Sequence, residues 1–244
     1  MDGPSEKDEI FKEKDAARGS FSFDEQVARV FPDMLRRSIP GYRQLLQLLG
    51  LLAHQRVSEG GHVYDLGCSL GAVSLAIRHA IGNRGARIIG VDNSPAMIAR
   101  CRAIMDADSG QTEVELIEAD IASTSVSNAS LIVLNFTLQF IAPEERSSLL
   151  QRLAAGLNPG GALVISEKVA APLPEQELFF RDLHDAFRRE NGYSQIELSR
   201  KRNALEKVLV PAEEETIRQD LERAGLRVIP WFRALQFVSW VAIQ

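Results

Sequence analysis

From Val63 onward, short apolar runs alternate with stretches whose apolar residues recur at helical spacing. HVYDLG predicts a strand, and AVSLAIRHAI predicts the helix after it. ARIIGVDNS predicts a second strand, followed by a helix over PAMIARCRAIMDA, where Ser94 suits an N-cap and Pro95 the first helical position. VELIEADI predicts a third strand. ASLIVLNFTLQF, almost wholly apolar, predicts a fourth of the kind a parallel sheet covers on both faces. PEERSSLLQRLAAGL reads as a helix and GGALVISEK as a fifth strand. This repeated strand–helix unit predicts a doubly wound, mostly parallel α/β sheet with right-handed crossovers.

The flanks have other periods. FSFDEQVARVFPDMLRRSIPGYRQLLQLLGLLAHQRV has helical spacing interrupted by Pro32 and by Pro40-Gly41, with Tyr42 just beyond the second interruption. Residues 172 to about 210 form a helical insertion of two stretches meeting at Asn191-Gly192. AEEETIRQDLERAG then predicts an amphipathic helix ended by Gly225, and LRVIPWF and ALQFVSWVAIQ predict two closing strands, a hairpin at the sheet edge. Residues 1–20 carry too few apolar side chains to offset the entropy of ordering and read as a disordered lead. Residues 21–244 then make one domain.

Composition narrows the class. Of 244 residues, 45% are hydrophobic and 25% charged, as in a water-soluble globular domain. A net charge of −5 gives no global field toward nucleic acid or an anionic membrane, so no direct nucleic-acid contact is expected. The polar N-terminal stretch has no signal-like apolar core, and no apolar run is as long as a membrane span. The two cysteines, Cys68 and Cys101, read as free thiols of a cytoplasmic protein.

Three strand ends carry candidate chemistry, because ligands of open α/β sheets gather at the carboxyl ends of the strands. In DLGCSLG, Gly67 permits a tight turn close to a ligand and Gly71 permits close packing of the next helix. Asp92 follows the corner by about 20 residues, the spacing at which an acidic side chain accepts both ribose hydroxyls. Asp120 and Ile121 are placed to bracket a purine edge. Alone, the glycine corner is also compatible with a plain tight turn and Asp92 with a helix N-terminal charge; together they predict adenosine binding. The dinucleotide fingerprint positions read Gly67, Ser69 and Ala72, so a side chain stands where a pyrophosphate needs bare backbone. A phosphate-free adenosine cofactor fits better, with NAD the alternative.

DLGCSLG, VDNSPAMI, EADI and NPGGALVISEK resemble class I S-adenosylmethionine-dependent methyltransferases, which implies a Rossmann-like fold with an antiparallel last strand. More specifically, FDEQVARVFPDMLRRSIPGY, YDLGCSLGA, DNSPAMI, LNFTLQF, LNPGGALVISEK, NGYSQIELSRKRNALE and FVSWVAI resemble the carboxy-S-adenosyl-L-methionine synthases of bacterial tRNA wobble-uridine modification, from about Phe21 to the end. The resemblance implies that S-adenosylmethionine is converted with prephenate to carboxy-S-adenosyl-L-methionine and phenylpyruvate, without a metal. A separate tRNA carboxymethyltransferase then uses the product. It implies that Gly67, Cys68 and Ser69 line the amino-acid end of the nucleotide, Asp92 and Asn93 the ribose, and Asp120 and Ile121 the adenine. It further implies that Asn135 stands near the sulfur, that Tyr42 covers the site from the N-terminal helices, and that Arg202 anchors the new carboxylate.

Of the four histidines, His54, His62, His79 and His184, only His184 in the insertion is placed to face a ligand. Arg36, Arg37 and Lys168 are candidates for prephenate's carboxylates. The insertion and the late Trp231 and Trp240 suit a homodimer. Two other functions share these motifs: a conventional small-molecule methyltransferase, and a non-catalytic nucleotide-binding partner of a tRNA-modifying enzyme.

Overall fold

A computed structural model describes residues 6–12, 21–205 and 208–244. Helices α1 (Glu25–Ser38) and α2 (Tyr42–Arg56) precede the alternating unit. That unit runs β1 (His62–Leu66), α3 (Ala72–Ile81), β2 (Arg87–Asp92), α4 (Pro95–Ala107), β3 (Glu113–Glu118), β4 (Ala129–Asn135), α5 (Pro143–Ala155) and β5 (Leu157–Lys168). The insertion forms α6 (Pro174–Glu190) and α7 (Gln195–Leu205), and α8 (Glu214–Arg223), β6 (Arg227–Ala234) and β7 (Phe237–Ile243) close the fold.

The seven strands pair in the order β3-β2-β1-β4-β5-β7-β6. β1 to β5 are parallel, and β7 runs antiparallel to both β5 and β6. This is the Rossmann-like class I methyltransferase arrangement, and its strand order reverses between β1 and β4. Neighbouring residues of β4 explain the two-sided burial: Leu131 and Val133 pack with Leu45 and Leu49 of α2 and Ile77 of α3, while Ile132 and Leu134 pack with Leu149 and Leu153 of α5 and Leu221 of α8. An all-apolar strand is stable only between two such layers. At the start of α4, Ser94 Oγ accepts from Met97 N at 3.2 Å, the cap expected there.

Three local expectations change. α1 continues through Pro32, because burial of Val27, Ala28, Val30 and Met34 on one face outweighs the hydrogen bond a proline forfeits. The fourth strand stops at Asn135: Phe136 takes φ +62, and a 3-10 turn follows over Leu138–Phe140. Glu167 holds that turn, accepting from Leu138 N at 2.7 Å and Gln139 N at 3.1 Å. The expected disordered lead does not extend to residues 6–12, where Asp8 and Phe11 are buried. Phe11 joins an apolar cluster with Val27, Met34 and Leu70, and Asp8 N donates to Asp33 Oδ2 at 2.8 Å. Residues 1–5 and 13–20 lie outside the described residues.

Candidate functional site

The glycine corner after β1 is built by left-handed residues. Gly67 has φ +79 and Ser69 φ +51, and Gly71 again has φ +79. A Cβ on Gly67 would lie 2.4 Å from Thr137 Cγ2, so both its dihedral and its surroundings demand glycine. A Cβ on Gly71 would lie 2.3 Å from Met105 Cε and 2.8 Å from Cys101 Sγ. The close packing that Gly71 permits is therefore that of the start of α3 against α4.

Asp92 ties this corner to β2. Its Oδ2 accepts from Ser69 N and its Oδ1 from Ser94 N, both at 2.9 Å. Burial raises its pKa, and the two backbone donors work against that shift. Asp65, at the end of β1, accepts from Ser74 N at 3.0 Å and Ser74 Oγ at 2.6 Å, and burial pushes it up to about 6. The Cys68 thiol is pushed far up by its hydrogen bond with Cys101 and by burial, which suits an inert side chain.

Beyond the corner opens a cavity of about 950 Å³ at the carboxyl ends of β1 to β5. The ten positions that the sequence assigned to the nucleotide line it: Tyr42, Gly67, Cys68, Ser69, Asp92, Asn93, Asp120, Ile121, Asn135 and Arg202. They come from both flanks and from four strand ends, separated by up to 160 positions in the chain. Asn135 Oδ1 is buried without a hydrogen-bond partner among the described residues, an acceptor left open at the end of β4. Tyr42 stacks obliquely on Phe136 with ring centroids 6.3 Å apart, and burial raises its hydroxyl pKa. Asp120 Oδ1 accepts from Ala122 N at 2.8 Å, which fixes the turn that carries Ile121.

The insertion supplies the remaining wall. Arg202 on α7 lines the cavity of its own chain, and its Nη2 donates to Asp185 Oδ2 on α6 at 2.5 Å. His184 donates from Nε2 to Ser38 O at 2.7 Å. Burial, reinforced by the Arg188 charge, pushes it down to about 3, so its ring is neutral. Of the three candidate carboxylate cations, Arg36 and Lys168 line the cavity. Arg37 does not; it is buried on Asn191 O at 2.6 Å, Asp8 O at 3.1 Å and Asp33 Oδ2 at 3.2 Å.

Sequence reasoning passed over Asp65, Arg188 and Lys201, all of which line the cavity. Asp65 had a readable signal, an acidic residue inside an apolar strand directly before the glycine corner. Arg188 and Lys201 had none, since their burial depends on contacts with Asp185 and Asp8. Among the described residues, no three His, Cys, Asp or Glu side chains group to hold a metal, and no helix is long and apolar enough to cross a membrane.

Comparison with known proteins gives this geometry a family. A methyltransferase domain model matches residues 63–161, the corner through the turn into β5. The carboxy-S-adenosyl-L-methionine synthase of Erwinia tasmaniensis is 48% identical over 98% of both chains. That of Cronobacter sakazakii is likewise 48% identical over 98% of each. The chain belongs to the carboxy-S-adenosyl-L-methionine synthase family. As a member of that family it is an enzyme, a transferase on a methyltransferase fold. The magnesium protoporphyrin IX methyltransferase of Synechocystis with bound S-adenosylhomocysteine shares the fold at 16% identity, with TM-score 0.60 over 86% of this chain and 85% of that one.

Proposed function

We propose that this family member synthesises carboxy-S-adenosyl-L-methionine from S-adenosylmethionine and prephenate, releasing phenylpyruvate. The observation that carries the reading is the convergence of all ten sequence-selected positions on one cavity at the strand-order reversal. On this reading Asp92 and Asn93 hold the ribose, and Asp120 and Ile121 take the adenine. Gly67, Cys68 and Ser69 receive the amino-acid end, while the open Asn135 acceptor and Tyr42 face the sulfonium. Arg202 anchors the new carboxylate, because a guanidinium fork matches a carboxylate in two hydrogen bonds.

The chemistry balances without a side-chain base. Prephenate loses carbon dioxide and hydroxide as its ring aromatises to phenylpyruvate. The hydroxide removes a proton from the sulfonium methyl and becomes water. The resulting ylide carbon attacks carbon dioxide and forms the carboxymethyl group. A carbanion survives only where water is scarce and the electrophile is adjacent, which the apolar wall of Phe23, Phe136, Phe140 and Phe237 supports. A neutral His184 adds no competing proton donor of imidazolium strength.

The product then serves a tRNA carboxymethyltransferase acting on wobble uridine, in the cytoplasm. Phe179, Leu178 and Leu183 of α6, at 60%, 49% and 41% exposure, support a homodimer that covers this face. The test is mass spectrometry of the small molecule released on denaturing the purified protein, followed by turnover with added prephenate. A nucleotide heavier than S-adenosylmethionine by one carbon dioxide supports the reading. S-adenosylmethionine or S-adenosylhomocysteine alone, unchanged by prephenate, would return the protein to conventional methyl transfer.

A further inference from the structure

One wall of the cavity is electrostatically lopsided, whereas Asp65, Asp92 and Asp120 line the strand-end side. β5, α6 and α7 bring five cations to its lining, Lys168, Arg181, Arg188, Lys201 and Arg202, against one carboxylate, Glu177. Most of these charges are already engaged. Arg202 and Arg188 share Asp185, and Lys201 Nζ lies 3.4 Å from Asp8 Oδ2. Glu177 Oε2 accepts from Gln236 Nε2 at 2.7 Å and from Ala171 N at 3.0 Å. Lys168 differs: at the carboxyl end of β5, it is a largely buried ammonium with no hydrogen-bond or ion-pair partner among the described residues. Burial lowers its pKa, with Arg188 and Arg202 adding to the shift and Glu177 and Asp185 opposing it. Beside it, Arg188 is 8% exposed, and its Nε is buried and unpaired. Lys168 and Arg188 both line the cavity, and an unpartnered ammonium beside a second cation becomes favourable there when an anion meets it.

We propose that Lys168 and Arg188 form an anion subsite, separate from Arg202, that holds the carboxylate which the carboxyl donor keeps through the reaction. This rests on the function proposed above and names the residues that select a dicarboxylic acid as second substrate. The choice between the donor's two carboxylates follows from chemistry. A carboxylate about to leave as carbon dioxide loses its charge, so a cation bound to it would stabilise the ground state and oppose the step. A cation on the retained carboxylate carries no such penalty and fixes the acid's orientation. Arg202 then stays available for the carboxylate formed on the nucleotide. The volume agrees: about 950 Å³ lies near the top of the roughly 300–1,000 Å³ range of single-ligand pockets, and two small molecules must share it.

The test is calorimetric titration of prephenate, and separately of phenylpyruvate, into protein saturated with S-adenosylhomocysteine. Lys168→Gln should weaken both acids by about 30-fold or more, leave S-adenosylhomocysteine affinity within about twofold, and Lys168→Arg should recover most of the loss. Unchanged prephenate affinity in Lys168→Gln, with wild-type product formation, would overturn the subsite and leave the proposed function standing. Weakened prephenate with unchanged phenylpyruvate would overturn the assignment to the retained carboxylate. A wild-type protein that neither binds prephenate nor forms the carboxylated nucleotide would remove the functional reading and the subsite together. Should Lys168→Gln fail to fold, the pH profile decides. Wild-type prephenate affinity should fall on the alkaline side as Lys168 deprotonates, and Lys168→Arg should remove that part of the fall. Glu177, Asp185, Arg188 and Arg202 surround Lys168 in both proteins, and Lys201 on the same lining, pushed down to about 8, adds its own alkaline loss to both. The difference between the two profiles therefore reads Lys168, and identical profiles would overturn the proposal.

Discussion

Asp185 accepts a hydrogen bond from Arg202 at 2.5 Å and so ties α6 to α7 at the cavity wall. The same carboxylate holds Arg188 through its other oxygen, and the two guanidinium groups keep its pKa below the usual carboxylate range against the effect of burial. On the function proposed above, Asp185 is a positioning residue, and the product carboxylate meets Arg202 beside it. Arg202→Ala should leave S-adenosylmethionine affinity unchanged and weaken carboxy-S-adenosyl-L-methionine by about 2 kcal/mol or more. Asp185→Asn, which strands the buried Arg188 charge, should instead lower unfolding stability by about 3 kcal/mol. Calorimetric titration of both nucleotides and urea unfolding separate the two effects; equal losses for both nucleotides in Arg202→Ala would remove its assigned role.

Glycines with the same backbone hand make unequal demands. Gly67 and Gly60 both have positive φ, yet a Cβ meets Thr137 at 2.4 Å in the first case and nothing within 4 Å in the second. Gly60→Ala should cost only the left-handed penalty of about 1–2 kcal/mol. Gly67→Ala should cost more and also abolish nucleotide binding, because Thr137 must move or the corner must open. Thermal unfolding with and without S-adenosylhomocysteine checks both, with a ligand-induced rise in Tm expected only for Gly60→Ala.

That contrast also marks what the chain discloses before it is folded. The strand–helix repeat was legible because each element carries its own period, and AVSLAIRHAI and PAMIARCRAIMDA form helices over those residues. The end of β4 was not, because the apolar run continues through Phe136 and the stop comes from a positive φ and from Glu167, a residue 29 positions from Leu138. Pro32 misled for a related reason: a local breaker is outweighed by a buried face that only tertiary packing reveals. The gathering of Gly67, Asp92, Asp120 and Ile121 at one cavity was readable from spacing along successive strand ends. The cationic side was legible only in part: Lys168 was a candidate, but Arg188 and Lys201 look like ordinary surface charges until contacts with Asp185 and Asp8 bury them.

His184 sets a pH dependence. Its folded pKa is pushed down to about 3 from 6.5, chiefly by burial. Below pH 6.5 the unfolded chain therefore takes up a proton that the folded protein refuses, and stability falls as pH is lowered toward 3. At pH 5 this contribution is about 2 kcal/mol. His184→Gln keeps a donor for Ser38 O and cannot protonate. The difference in urea-unfolding free energy between wild type and His184→Gln should shift by that amount between pH 7.5 and pH 5, and a constant difference would show that the ring is not held neutral.

The last prediction concerns Asp8, which the sequence assigned to a disordered lead. Its carboxylate accepts from Tyr193 OH and lies 3.4 Å from Lys201 Nζ, and its backbone carbonyl accepts from Arg37 Nη1 at 3.1 Å. Lys201 Nζ also reaches Ser38 Oγ at 3.0 Å, so one buried network joins residues 6–12, α1 and α7. Burial pushes Lys201 down to about 8, with Asp8 the main opposing influence. Removing that carboxylate leaves a buried ammonium beside Arg37 and Arg188 with no counter-charge. Asp8→Ala should therefore destabilise by about 3–5 kcal/mol at pH 7. Because α7 also carries Arg202, affinity for the carboxylated nucleotide should fall more than affinity for S-adenosylmethionine. In the double variant Asp8→Ala, Lys201→Met the stranded charge is gone, so much of the lost stability should return. Chemical unfolding of the two single variants and the double variant closes this cycle; additive losses would mean that Asp8 and Lys201 do not act as a pair.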